Sequence, residues 1–290
     1  MGNRTESAGH ELSHEEIEQV FTKIDIPACP AIVAEVMAEA QKDEPDLRRL
    51  AKLIAADVGI SAVAIKLANS PLFRVGPSVE NVLKALERIG VRNTVCVIVA
   101  VALRQTLAGM SSGFIEKFWN KTASLAMAAG LIARRQHGVS PDAAYTYALF
   151  HDAGIPLMMR RFPDYEQILA DCEANGRSLI EAEEQYYPCS HPIIGSLMVR
   201  NWGLPQLVGL AIRFHHEADV YDLSDSSLPG SALSLIAVTH IAEHLAHDLD
   251  GEVDLEVGDD LYSRALAYFG IDENEIEDLR EALLMARAQG

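Results

Sequence analysis

Ten histidines are spread over 290 residues, and those in the middle of the chain stand where they could do chemistry. His151-Asp152 closes an apolar stretch (Tyr147, Ala148, Leu149, Phe150) and is followed by Ala153-Gly154. His191 follows Ser190 at an expected helix start, and His215-His216 ends a mostly apolar segment. Imidazole and carboxylate together suit transition metals. Adjacent helical positions diverge by about 100°, so a His-Asp or His-His pair can serve two ions, or one ion and a group that orients it. A lone buried histidine is more often a satisfied core residue. Five such groups at the ends of three apolar helices leave a metal site, an acid–base site and plain packing all open. His10, His14, His137, His244 and His247 lie in polar contexts and are assigned no role.

The elements that must hold these groups are helical throughout. A Ser13-x-x-Glu16 capping box opens residues 14–23, and Pro27 and Pro30 break the pattern. Apolar residues at helical spacing then predict helices at 31–41, 47–56, 59–69, 79–89 and 91–107, the last two parted by Gly90. Asn69-Ser70-Pro71 is expected to be a helix stop rather than a functional turn. A loop at 109–113 is the expected internal boundary. Further helices follow at about 115–136, 141–151, 163–175, 178–186, 191–201, 205–215, 231–248, 259–269 and 273–288. The one β-rich run, Val95 to Leu103, has the length and flanks of a buried helix. The expected fold class is all-α: a polar tail at 1–13, an N-terminal lobe at 14–110, a site-bearing lobe at 111–220, and an acidic helical extension at 221–290.

Composition narrows the function. With 49% hydrophobic and 23% charged residues, the chain is that of a folded protein. A formal charge of −18 argues against nucleic acid and anionic membrane surfaces, both of which reward clustered Lys and Arg. A small phosphorylated ligand remains compatible, because a few local cations or a metal reverse the local field. The polar opening residues give no signal peptide, and the longest apolar run is about half a membrane span. Cys29, Cys96, Cys172 and Cys189 are far apart, as expected for free thiols in a reducing cytoplasm.

Several segments, in order, resemble the HDOD proteins, a branch of the HD superfamily of helical metal-dependent phosphohydrolases found in bacterial signalling. Ile26-Pro27-x-x-Pro30 is similar to the family's opening segment. Residues 50–73 follow its next pattern, with Asp57, Asn69 and Ser70 in place, and residues 79–91 match the helix after it. Phe118-Trp119, His151-Asp152-x-Gly154, Glu183, His191-x-x-x-Gly195, Trp202-x-Leu204-Pro205 and His215-His216 then occur at near-family spacing. The resemblance implies an HD-like helical bundle and a metal pocket. His151, Asp152, His191, His215 and His216 map onto its ligands. The position of its early histidine holds Lys121, and the best match to its late aspartate is His240. A protonated lysine cannot ligate a metal; it is expected instead to pair with Asp152 and fill the cation's volume. One half of a two-metal site (Lys121, His151, Asp152, His240) is thus expected to be damaged. The other (Asp152, His191, His215, His216) is expected to be complete, holding one divalent ion (Fe, Mn, Zn, Ni or Mg). The residues that mark HD-GYP phosphodiesterases are missing, with Ile155 after Gly154.

The resemblance implies a bacterial signal-transduction module with an eroded hydrolase pocket. Such a module works through protein partners, with a receiver or sensor protein acting in trans. The alternative is a metal-dependent phosphohydrolase acting on a nucleotide or other phosphoester at a mononuclear site, with Lys121 and Arg213 as candidate phosphate contacts. The acidity is local: residues 217–290 hold 18 acidic and 3 basic side chains, and the preceding 216 residues hold 24 and 21. The extension is therefore expected to be a solvated cover, or a docking surface for a basic partner.

Overall fold

Short polar side chains punctuate the N-terminal helices. Asp46 accepts from the N–H groups of Arg48 and Arg49 and starts α1's successor; α1 is Ala31–Ala40 and α2 is Leu47–Ala55. Asp57 caps α3 (Val58–Ala68) through the Ile60 N–H, and Asn81 caps α4 (Val82–Thr106) through that of Lys84. Each satisfies a main-chain donor that a helix start leaves open. The computed structural model describes residues 27–107, 112–251 and 256–289, which are helical with no strand. The expected helix at 14–23 lies outside the described residues.

Gly90 divides α4 into the two segments expected from the sequence, at φ 76° and ψ 167°, a conformation open to glycine and strained for other residues. Asn69 is structural: its amide donates to the Val79 carbonyl and accepts the Val79 N–H, both at 2.9 Å, so it closes the loop between α3 and α4. Of the expected loop at 109–113, Ser112 and Gly113 are helical, as the first residues of α5 (Ser112–Ala133), and 109–111 lie outside the described residues. Ser140 caps α6 (Pro141–Phe150), whose proline stands where no helical N–H is needed.

One short helix is missing from the sequence reading. α7 (Gly154–Arg161) begins two residues after Asp152. Gly154 and Pro156 look like breakers, yet proline in a first turn sacrifices no hydrogen bond. The remaining helices are α8 (Tyr165–Asn175), α9 (Leu179–Tyr186), α10 (His191–Asn201), α11 (Gln206–Phe214), α12 (Gly230–Asp250), α13 (Gly258–Phe269) and α14 (Glu273–Gln289), with a 3₁₀ turn at Val220–Asp222.

The buried apolar residues form one continuous core from Val33 to Leu283. Helix α12 is its common wall, with α5, α6, α11 and α13 packed on it, while α7 and α11 pack on α10. Trp202 is buried in this core, its indole N–H donating to the Pro27 carbonyl at 2.8 Å, as packing rather than base stacking requires. In the acidic C-terminal quarter each of the three arginines holds an aspartate: Arg264 with Asp222 (2.6 Å), Arg280 with Asp248, and Arg287 with Asp250 (2.7 Å). No helix among the described residues is long and apolar enough to cross a membrane.

Candidate metal centre

Two glycines let the site assemble. A Cβ on Gly154 would lie 2.0 Å from the His191 carbonyl oxygen, and one on Gly195 would lie 3.2 Å from the Gly154 nitrogen. The starts of α7 and α10 can therefore touch only where both residues lack side chains. That contact sets Asp152, just before α7, beside His191, the first residue of α10. His215 and His216 enter from the end of α11, and His151 from the end of α6.

Asp152 is the hub. Its Oδ1 faces His191 Nε2 at 3.5 Å and His215 Nε2 at 3.6 Å, while its Oδ2 lies 3.0 Å from His151 Nε2. The imidazoles are aimed from behind. His191 Nδ1–H donates to Glu183 Oε2 at 2.8 Å, and the same oxygen accepts the His191 main-chain N–H. Glu183 is itself fully buried and accepts from the Tyr165 hydroxyl. His215 Nδ1–H donates to the Ile212 carbonyl at 2.7 Å, and His151 Nδ1–H to that of Ala148 at 2.8 Å. Each of these bonds fixes the tautomer and leaves Nε2 directed at Asp152, the arrangement that orients metal-ligating histidines.

The donor set fits a divalent cation. His191 Nε2, His215 Nε2 and His216 Nδ1 are buried with no hydrogen-bond partner. One ring nitrogen from each of these three histidines and a carboxylate oxygen of Asp152 lie within 4.8 Å of one another. A tetrahedral ion about 2.0–2.2 Å from each donor would hold donor pairs about 3.4 Å apart, close to the Asp152–His191 and Asp152–His215 separations. A second group forms across the same carboxylate: His151, Asp152 and Glu243, with His151 Nε2 3.0 Å from Glu243 Oε1. Glu243 Oε2 is likewise buried and unpartnered.

Burial opposes every charge here, and the pairings decide the outcome. Burial alone would pull His151 down, but Asp152 and Glu243 hold it well above the usual imidazole range. Against the same burial, Glu183 and Asp152 push His191 up to about 10. Burial would raise Asp152, yet the charge and hydrogen bond of His151 keep it well below the usual carboxylate range. Burial lowers His215 and, joined by the neighbouring imidazoles, holds His216 well below its ordinary value. His215 and His216 are thus neutral lone-pair donors, while protons on His151 and His191 occupy positions a cation would contest.

A family model, the HDOD domain, matches residues 26–218. The chain belongs to the HDOD domain family. Its fold is shared with a protein from Shewanella amazonensis SB2B provisionally described as a phosphohydrolase (TM-score 0.69, 21% identity, 94% of each chain covered). It is also shared with one from Marinobacter aquaeolei VT8 provisionally described as a signal transduction protein (TM-score 0.65, 18% identity, 97% of this chain and 60% of that one). An uncharacterized protein of Treponema pallidum (strain Nichols) is 24% identical over 242 residues, 80% of this chain; the chain spans 44% of that relative's length.

Within this HDOD chain the structure brings five of the six expected ligands together and sets His240 apart. His240 Nε2–H donates to the His215 carbonyl at 2.9 Å, and its Nδ1 accepts from the Tyr221 hydroxyl at 3.0 Å. Both of its ring nitrogens are engaged in these two bonds. The acid that faces the site is Glu243, about one turn further along α12, a residue not among the expected ligands. Lys121 does not pair with Asp152: it is exposed and lies 3.1 Å from His247 Nε2. Arg213 is held by Glu217 at 3.1 Å and lies over the Phe214 ring. Both expected phosphate contacts are thus engaged by other side chains.

Proposed function

We propose that this HDOD chain is a bacterial, cytoplasmic signal-transduction module built around a cation site, acting through protein partners rather than by turnover. The observation that carries the cation site is the convergence of His191, His215 and His216, each with a buried and unpartnered ring nitrogen, on the low-pKa Asp152 carboxylate. Asp152, His191, His215 and His216 would hold the ion. Three nitrogens and one oxygen suit Zn, Fe, Ni or Mn more than Mg. The regulatory reading is supported by the engagement of Lys121 and Arg213 elsewhere, and by the depth of the ligands: His151, His191 and His215 are each 1% exposed. On this reading residues up to about 110 form one lobe, 111–220 carry the His/Asp cluster, and the acidic extension at 221–290 completes the bundle.

Phosphoester hydrolysis is the second reading, and Glu243 favours it. The half-site expected to be damaged has a carboxylate after all, so Asp152 could bridge two cations. When bound, such ions act as Lewis acids towards phosphoryl oxygens. This chain's own contribution would be to orient His191 through Glu183 and to hold Asp152 ionised. The deciding experiment assays zinc- and manganese-loaded protein with p-nitrophenyl phosphate and bis-p-nitrophenyl phosphate. No turnover above buffer is expected. Turnover that disappears with His191→Ala would replace the regulatory reading with the enzymatic one.

A further inference from the structure

His240, its neighbour Tyr221 and the turn between them and α13 stand outside the proposed ligand set, yet they touch it. His240 is 1% exposed and donates to the main-chain carbonyl of the ligand His215. Its other nitrogen accepts from Tyr221, which belongs to the 3₁₀ turn at Val220–Asp222. That turn begins four residues after His216, and its Val220 is fully buried. The far side of the turn is gripped by α13. The Arg264 guanidinium lies 5.3 Å over the Tyr221 ring, donates to Asp222 Oδ2 at 2.6 Å, and donates to the Ala218 carbonyl at 3.2 Å. Tyr268, also on α13, sets its ring 6.2 Å from that of Tyr221.

We infer that His240 is a positioning residue for the His215–His216 ligand turn, and that through Tyr221 it ties cation occupancy to the seating of α13 in the acidic extension. This rests on the cluster being a cation site. The His215 carbonyl can accept only from an Nε2–H tautomer of His240, and the Tyr221 hydroxyl selects that tautomer by donating to Nδ1. An ion that fixes the His215 and His216 rings also fixes the chain that leads into residues 217–222. Arg264 is bonded to the Ala218 carbonyl just before that turn and to Asp222 at its end. Linkage is reciprocal: whatever a cation gains from an ordered turn, the turn and its grip on α13 gain from the cation.

Zinc binding to the full chain is measured by calorimetry, and amide hydrogen exchange of residues 258–269 is followed with and without zinc, in wild type, Tyr221→Phe, His240→Leu and His240→Gln. Wild type is expected to bind zinc and to show slower exchange in α13 when loaded. Tyr221→Phe removes one hydroxyl at a half-buried position, and circular dichroism is expected to show full helix content. It is expected to bind zinc about 10-fold more weakly, at the lower end of the effect of removing a group that orients a ligand, and to lose the response of α13. His240→Leu is expected to do the same. His240→Gln, whose amide can still donate to the carbonyl, is expected to recover part of both. Unchanged affinity in Tyr221→Phe and His240→Leu, or α13 exchange in wild type indifferent to bound zinc, overturns the inference while leaving the cation site standing. A wild-type protein that binds no zinc, manganese, iron or nickel overturns both.

Discussion

Replacing Gly154 by alanine should disable the centre from a position that offers it no ligand. The new Cβ would sit 2.0 Å from the His191 carbonyl oxygen, 2.7 Å from its carbon and 2.9 Å from its Cα. These are main-chain atoms at a helix start, so no side-chain rotation relieves the contact. Reaching even a tight 3.0 Å requires α7 and α10 to part by about 1 Å, while ligand distances in a metal site tolerate only about 0.2 Å. Asp152 and His191 would be carried apart with their helices. The expected cost is about 1–3 kcal/mol in folding, the range for overpacking a well-packed interior, together with loss of stoichiometric metal. Gly209→Ala is the matched control: its Cβ would meet nothing nearer than 3.6 Å, inside α11. It should gain up to about 1 kcal/mol from helix propensity and keep the metal. Urea unfolding and metal analysis of the two variants decide the matter. A Gly154→Ala protein as stable as wild type and fully loaded would refute the steric account of how the site assembles.

Glu183→Gln should weaken zinc binding by about 10–100-fold with helix content retained, measured by competition with a chromophoric chelator. Asn69→Ala removes both bonds to Val79 and should cost about 1–3 kcal/mol with metal content unchanged; a loss of metal would show that this turn serves the site. For the ion-free protein, the raised pKa of His191 means that its contribution to stability is fully present below its unfolded value near 6.5 and is lost as pH rises through about 10. Asp152, held low, contributes above its unfolded value near 3.8 and loses that contribution as pH falls further. Urea midpoints should therefore decline on the alkaline side, and His191→Ala should flatten that limb.

The helices and most of the site were legible in the sequence because both rest on local patterns. Apolar spacing marked the helices, and His-Asp and His-His pairs marked helix ends. What was missed depends on which face a residue takes in three dimensions. Helix α7 was hidden by Gly154 and Pro156, whose breaker chemistry is harmless in a first turn. His240 matched the family's ligand position, but its side chain meets the His215 carbonyl, whereas that of Glu243, three residues along α12, meets His151. Lys121 was expected to reach Asp152 and instead lies beside His247, a pairing with no sequence signal. The role of Glu183 as the acceptor behind His191 needed the packing of α9 against the start of α10. The three arginines of the acidic quarter likewise gave no sequence sign of their aspartate partners.

The central claim is that Asp152, His191, His215 and His216 hold a divalent cation, and metal content tests it most directly. Protein purified without chelator, and chelator-stripped protein reloaded with zinc, iron, manganese or nickel, are analysed per chain beside His191→Ala. At least one ion per chain is expected in the wild type and a loss of one ion in the variant. A folded wild-type protein that carries and takes up no stoichiometric metal, or a His191→Ala protein that keeps its full complement, would contradict it.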